Sequence, residues 1–236
     1  GYVIGWQPFL GLKIYLDSKP LIPRPETEWW AEELLRATSE RHEPGGPPAV
    51  VRLGRAARSA TAGGSTGEGR LNFLDLCAGS GAIGCAALAR LPDASVYFGE
   101  IDPAHEATIL KSIHENHLDE SRASVGIGDL FTPFGAMQFD VIAVNPPYVP
   151  TDRILPMSVA DYEPSLALLA GEDGLDCIRR IAKELPKRLT KNGSAWIECD
   201  REHAASACAL FMEQGFSTEI RNDQYDKPRV IVVSFP

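Results

Sequence analysis

Seven short apolar runs rich in β-branched and aromatic residues recur along the chain, at 71–77, 94–101, 124–128, 139–145, 194–199, 217–221 and 230–235. Between them, 81–91, 103–117, 175–189 and 201–214 carry apolar residues at mixed three- and four-residue spacing, the stripe of helices that cover a sheet. Strands alternating with helices of that length predict right-handed crossovers and a mostly parallel, doubly wound sheet. Only the polar stretch 222–227 separates the last two runs. That is too short for a helical crossover, so those two strands are expected to pair antiparallel. The expected fold class is α/β and Rossmann-like, a seven-stranded, mostly parallel sheet with an antiparallel C-terminal hairpin.

Ahead of this core, 11–18 alternates as a strand would. Residues 25–38 read as a helix, with Pro25 in the first turn and Glu26 and Glu28 near its positive end. Residues 1–39 are therefore expected to form an N-terminal hairpin and lid helix. Residues 40–70 are rich in Gly, Ala, Ser, Arg and Pro, contain no aromatic residue and lack periodicity, so they read as a flexible insertion whose five arginines are solvated. The main domain is expected over 71–236.

Composition narrows the function. At 236 residues, 44% of them apolar, the chain is long enough for one sizeable core. A net charge of -9 argues against a surface that binds nucleic acid chiefly by neutralising phosphates. The five cysteines are scattered and never in CxxC or Cys/His ligand spacing, which predicts free thiols, no disulfide framework and no metal site. No apolar run approaches the roughly 20 residues that span a bilayer. The chain opens at Gly1 rather than Met, as a trimmed chain would.

Candidate chemistry begins where the first core strand runs through Asp75 into the small-residue turn Cys77-Ala78-Gly79-Ser80-Gly81-Ala82 and opens a helix. Backbone can approach a ligand there. Gly79, Gly81 and Gly84 also fit GxGxxG, so the glycines alone do not exclude a dinucleotide. The next strand ends in Glu100-Ile101, about 20 residues after the turn, where a carboxylate can accept from both ribose hydroxyls. After the third strand, Gly128-Asp129-Leu130 is placed to meet an adenine, with Asp129 on the exocyclic amine and its neighbours on the ring. Together these strand ends make a nucleoside site. A dinucleotide oxidoreductase would also need a Tyr/Lys or His/carboxylate constellation, which the sequence does not offer.

The fourth strand delivers Asn145-Pro146-Pro147-Tyr148 at its carboxyl end, where ligands sit in such sheets. An amide or exocyclic amine nitrogen has a delocalised lone pair and attacks a methyl sulfonium poorly unless held. The Asn145 side-chain oxygen and the Pro146 carbonyl can accept from its two N–H groups, the prolines stiffen the loop, and Tyr148 offers a flat face. Positioning in line supplies most of the rate, up to roughly 7 to 11 kcal/mol. This chemistry predicts an S-adenosylmethionine-dependent methyltransferase that leaves S-adenosylhomocysteine.

The sequence also resembles the HemK family of protein glutamine methyltransferases over nearly its whole length. Leu21-Ile22-Pro23-Arg24-Pro25-Glu26-Thr27-Glu28 is similar to that family's LIPRPETE, and Gly1 to Gly5 with Phe9 to the lead before it. Asp75 to Ala82 is similar to its cofactor loop, Asn145 to Tyr148 to its NPPY, Tyr162-Glu163-Pro164 with Ala167-Leu168 to its EPxxAL, and Gly193 to Glu198 to its later strand. Departures are Cys77-Ala78, where the family usually has Gly or Thr, and Glu100, where it has Asp. The resemblance implies a class I methyltransferase acting on the glutamine of the GGQ loop of a peptide-chain release factor. Asn145 and Pro146 then hold the glutamine amide, Pro147 and Tyr148 line its pocket, and Glu26 and Thr27 help close a lid over the cofactor. Glu163 and Glu198 are expected to be structural. NPPY is shared with adenine and guanine methyltransferases, so the alternative is methylation of a nucleic-acid exocyclic amine. LIPRPETE is not shared with them. The expectation is thus a monomer with no membrane and no direct nucleic-acid substrate. The family's amino-terminal helical domain has no counterpart here, and the 40–70 insertion points to a mitochondrial member, with the bacterial cytoplasm as the alternative.

Overall fold

A computed structural model describes residues 1–42, 70–153 and 163–236. The expected insertion over 40–70 thus lies outside the described residues from 43 to 69, as does Tyr162.

Chain order gives β1 (Trp6–Phe9), β2 (Leu12–Tyr15), α1 (Pro25–His42), β3 (Leu71–Leu76), α2 (Ala82–Arg90), β4 (Ala94–Glu100), α3 (Glu106–Glu115), β5 (Ala123–Ile127), β6 (Phe139–Val144), α4 (Asp176–Arg188), β7 (Leu189–Glu198), α5 (Ala204–Met212), β8 (Ser217–Asn222) and β9 (Pro228–Ser234). The main sheet has seven strands in the order β5-β4-β3-β6-β7-β9-β8. Strands β5 to β7 are parallel, and β9 runs antiparallel to both its neighbours. The last strand therefore enters between β7 and β8 instead of adding at the edge. Side chains account for this: Val230 to Val233 of β9 are buried in succession, as a doubly covered strand requires. Strand β8 carries Glu219, Ile220 and Asn222 exposed, as an edge tolerates.

Alternation along the strands sorts the core into two faces. Phe73, Val96, Phe98, Val141, Ala143, Trp196 and Val232 pack with α1, α2 and α3. Leu74, Leu76, Ile142, Val144, Ala195, Ile197 and Val233 pack with α4 and α5. The strand order turns at β3, with β4 on one side and β6 on the other, so the crevice beyond their carboxyl ends is the expected ligand position.

Three expected boundaries shift. The strand expected at 11–18 is Leu12–Tyr15, because Leu10 and Gly11 form the two-residue turn of a β1–β2 hairpin with φ of 48° and 85°. The helix expected at 25–38 continues to His42, four residues past its expected end; an Arg36–Glu40 ion pair of 2.8 Å supports this last turn. Strand β7 starts at Leu189 rather than 194, through a register shift against β6 at Lys191-Asn192-Gly193, which reads as a turn in sequence.

The hairpin is docked by side chains of α3. Ser112 and Asn116 accept from the β2 backbone N–H groups of Tyr15 and Lys13 at 3.0 and 2.9 Å, and Asn116 donates to the Lys13 carbonyl at 2.8 Å. An edge that would otherwise be free is thereby satisfied.

Candidate active site

Strand β3 ends in a strained turn. Cys77 has φ of 59°, rare for a residue with a Cβ, and Gly79 and Gly81 follow at 54° and 74°. The Ala78 N–H donates to the Gly99 carbonyl at 3.0 Å, which ties the turn to β4. Gly84 serves packing: a Cβ there would lie 2.2 Å from the Phe98 ring, so its agreement with GxGxxG reflects a helix seated closely on β4. Asp75 lies beneath the turn, 1% exposed, and accepts the Gly84 N–H at 2.8 Å. Burial pushes its carboxyl up to about 8, opposed by that hydrogen bond and reinforced by Glu100.

At the end of β4, three backbone N–H groups converge on the Glu100 carboxylate: Gly79 at 2.7 Å on Oε2, and Ile101 and Asp102 at 2.9 Å on Oε1. These bonds orient it beside a cavity of ≈ 300 Å³. Of the residues expected at a cofactor, Gly79, Glu100, Ile101, Asp129, Leu130 and Asn145 line that cavity. Asp75, Ala78, Ser80 and Gly81 shape the turn behind it and are not among its lining residues. Leu130, like Cys77, has positive φ, 47°. Backbone strain thus gathers at two points of the cavity wall, as it does at functional sites. Asp129, expected to receive an exocyclic amine, already holds an ion pair with Arg180 of α4.

At the end of β6, the Asn145 Oδ1 is buried without a hydrogen-bond partner among the described residues, while Nδ2 donates to Thr27 Oγ1 at 3.4 Å. Pro147 lines the cavity, whereas Pro146, which is buried, and Tyr148 are not among its lining residues. Tyr148 turns its hydroxyl to Glu198, donating at 3.0 Å, and burial and that carboxylate hold the phenol well above its usual range. A Cβ on Gly174, at φ of 71°, would lie 2.5 Å from the Tyr148 carbonyl, so the 171–174 turn packs directly on the loop. Val149 exchanges backbone hydrogen bonds with Leu168 and Ala170 at 2.8 and 2.9 Å.

Glu26 and Thr27 sit in the first turn of α1 and are not among the cavity's lining residues. Thr27, 2% exposed, faces Glu198 and Asn145. Arg24 grips Glu163 with one nitrogen on both carboxylate oxygens, at 2.7 and 2.6 Å, so the LIPRPETE and EPxxAL segments meet. Cavity residues that the sequence reading missed include Leu21, Asp102, His105, Leu166, Cys177 and Arg180. Leu21 and Leu166 were signalled by their motifs. Arg180 reads in sequence as one more charge on the solvent face of α4.

The methyltransferase small domain family matches residues 67–158. The release factor glutamine methyltransferase of Thermodesulfovibrio yellowstonii is 33% identical, across 98% of this chain and 75% of its own length. The chain belongs to the release factor glutamine methyltransferase family. The relative of the same name from Geobacter sulfurreducens is also 33% identical over 91% of this chain, which spans 65% of that protein's length. A solved methyltransferase from Pyrococcus furiosus shares the fold, with a TM-score of 0.59 and 14% identity over 95% of this chain and 88% of its own. As a methyltransferase of this family, the chain uses S-adenosylmethionine as its methyl donor. The residues present fit it. The oriented Glu100 carboxylate would hold the ribose, the apolar Leu21, Leu130 and Leu166 would flank the adenine, and the Asn145 Oδ1 would face the acceptor. Among the described residues, no helix is long and apolar enough to cross a membrane.

Proposed function

We propose that this chain transfers a methyl group from S-adenosylmethionine to the side-chain amide nitrogen of the glutamine in the GGQ loop of a peptide-chain release factor. S-adenosylhomocysteine is the second product. The observation that carries this reading is the buried Oδ1 of Asn145, which has no hydrogen-bond partner among the described residues, one position before Pro146. A buried acceptor without a donor costs about 1–3 kcal/mol, and a substrate N–H satisfies it. Asn145 and Pro146 accept from the two N–H groups of a primary amide and fix its plane, Pro147 stiffens the loop, and the Tyr148 ring supplies a flat wall. The donor supplies an electrophilic methyl on a positively charged sulfur. As the N–C bond forms, the methyl–sulfur bond breaks and its electron pair stays on sulfur as the thioether of S-adenosylhomocysteine; the cationic, strongly acidic nitrogen then gives one N–H proton to solvent, so orientation rather than a strong base carries the rate.

The names of the bacterial relatives and the LIPRPETE segment support a release factor over a nucleic-acid amine. We further propose that the chain acts as a monomer, with 1–39 as hairpin and lid helix, 40–70 as an insertion and 71–236 as the methyltransferase domain. The compartment proposed from the insertion is the mitochondrial matrix, with the bacterial cytoplasm as alternative.

Mass spectrometry of a purified release factor after incubation with this protein and S-adenosylmethionine tests the reading, with a GGQ-to-GGA release factor as control. One added methyl mapped to that glutamine is expected. No methylation of the release factor, with a methylated adenine or guanine in an RNA or DNA substrate, would overturn it.

A further inference from the structure

Glu198, at the end of β7, is 1% exposed and is met by donors from two distant segments. Its Oε2 accepts from Thr27 Oγ1 at 2.6 Å and Trp30 Nε1 at 2.8 Å, and its Oε1 from the Tyr148 hydroxyl at 3.0 Å. We propose that Glu198 and Thr27 form a relay that locks the Asn145 carboxamide with its oxygen toward the substrate, which makes both of them positioning residues for methyl transfer. The proposal rests on the role given above to Asn145.

Burial raises the Glu198 carboxyl above its usual range, opposed by the bonds from Thr27 and Trp30, the nearby Arg229 and the bond from Tyr148. With three donors converging on it, the relay is built on its carboxylate form, which only accepts, while an indole N–H only donates. Thr27 owns a single hydroxyl proton, and at 2.6 Å from Glu198 that proton lies on the charge-assisted bond. Only lone pairs of Thr27 Oγ1 remain for its other neighbour. Asn145 Nδ2 lies 3.4 Å away and supplies the hydrogen. A flipped carboxamide would set Oδ1 against those lone pairs with no proton between them. Bulk water does not reach Thr27 or Trp30, which are 2% and 0% exposed. The oxygen is therefore turned away from Thr27, where it is buried and unpartnered. The same proton inventory assigns the Tyr148 proton to Glu198, so the Tyr148 hydroxyl is not a donor for the substrate. Helix α1 thus reaches the reaction from beneath the acceptor loop, through Thr27.

Four versions of the chain test this: Thr27→Val, Thr27→Ser, Asn145→Ala and the Thr27→Val/Asn145→Ala double variant. Valine keeps the β-branched shape and removes the hydroxyl. Its kcat on the release factor should fall by about 10- to 100-fold, while S-adenosylhomocysteine affinity by calorimetry and KM stay within about twofold. Thr27→Ser should recover the rate to within about threefold of wild type. The double variant should be no slower than Asn145→Ala alone, as members of one unit are non-additive. A wild-type kcat in Thr27→Val, equal losses in the Val and Ser variants, or a further loss in the double variant would each overturn the relay. If Thr27→Val does not fold, Glu198→Gln replaces it: one carboxamide oxygen cannot accept from all three donors, and an unchanged kcat there overturns the relay. The orientation is also read without turnover, from the side-chain NH2 resonance of Asn145, assigned by its loss in Asn145→Ala. It should move in Thr27→Val and return in Thr27→Ser, and an unmoved resonance overturns the relay. A wild-type protein that methylates no release factor yet shows this pattern places the failure in the substrate reading alone.

Discussion

Asp75 is the residue in which sequence and environment diverge most. On sequence it is a carboxylate beside a ligand turn; in the structure it is a buried acid under that turn, with its pKa raised from 3.8 to about 8. Because the folded value lies above the unfolded one, the native state keeps a proton that the unfolded chain releases between about pH 4 and pH 8. Stability from this group is therefore fully present below pH 4 and is lost as pH rises toward 8. Asp75→Asn keeps an oxygen for the Gly84 N–H and removes the titration. Thermal melts from pH 5 to pH 8.5 should show the variant gaining on wild type as pH rises, and a constant difference would show that Asp75 ionises normally. Residues at strand ends, such as Glu100 and Asn145, were legible because position in the fold and side-chain chemistry point the same way. Glu198 carries no such signal, because nothing in a linear sequence shows that Thr27, Trp30 and Tyr148 all donate to it.

Among the elements, the seven core strands and four later helices appear where hydrophobic spacing put them, since each buries a face of regular period. The hairpin register and the length of α1 were less legible, because Leu10-Gly11 needs positive φ and polar Ser39 to His42 carry no apolar stripe. The α2–β4 contact gives a prediction of its own. Gly84→Ala gains up to about 1 kcal/mol of helix propensity. Against that, the new Cβ lies 2.2 to 2.7 Å from three Phe98 ring atoms, and overpacking of this kind costs about 1 to 3 kcal/mol. A net loss of about 1–2 kcal/mol, or several degrees in Tm, is expected. A Tm equal to wild type would mean that Phe98 turns aside freely.

For the whole molecule, the cavity is closed by segments that lie far apart in the chain, and the Arg24–Glu163 ion pair joins two of them. Glu163 is nearly buried while Arg24 is 38% exposed, so the pair's worth is discounted for solvent. Arg24→Gln leaves a buried carboxylate short of its partner and loosens the segment that carries Pro164, Leu166 and Ala167 over the cavity. Calorimetry should show S-adenosylhomocysteine bound more weakly by about 1–2 kcal/mol, roughly 5- to 30-fold. Affinity within twofold of wild type would mean that this segment holds its place without the pair.

Placing β9 between β7 and β8 also sets an order of events for a chain made from its amino end. The parallel strands β3 to β7 can pair as each emerges, but β8 has no sheet neighbour of its own until β9 has been synthesised. Until then both the rim of β7 and the whole of β8 present unpaired backbone, the kind of edge that joins wrongly with another chain. The charges of β8 at Glu219 and Arg221 then act before the fold exists, as protection for a strand that must wait.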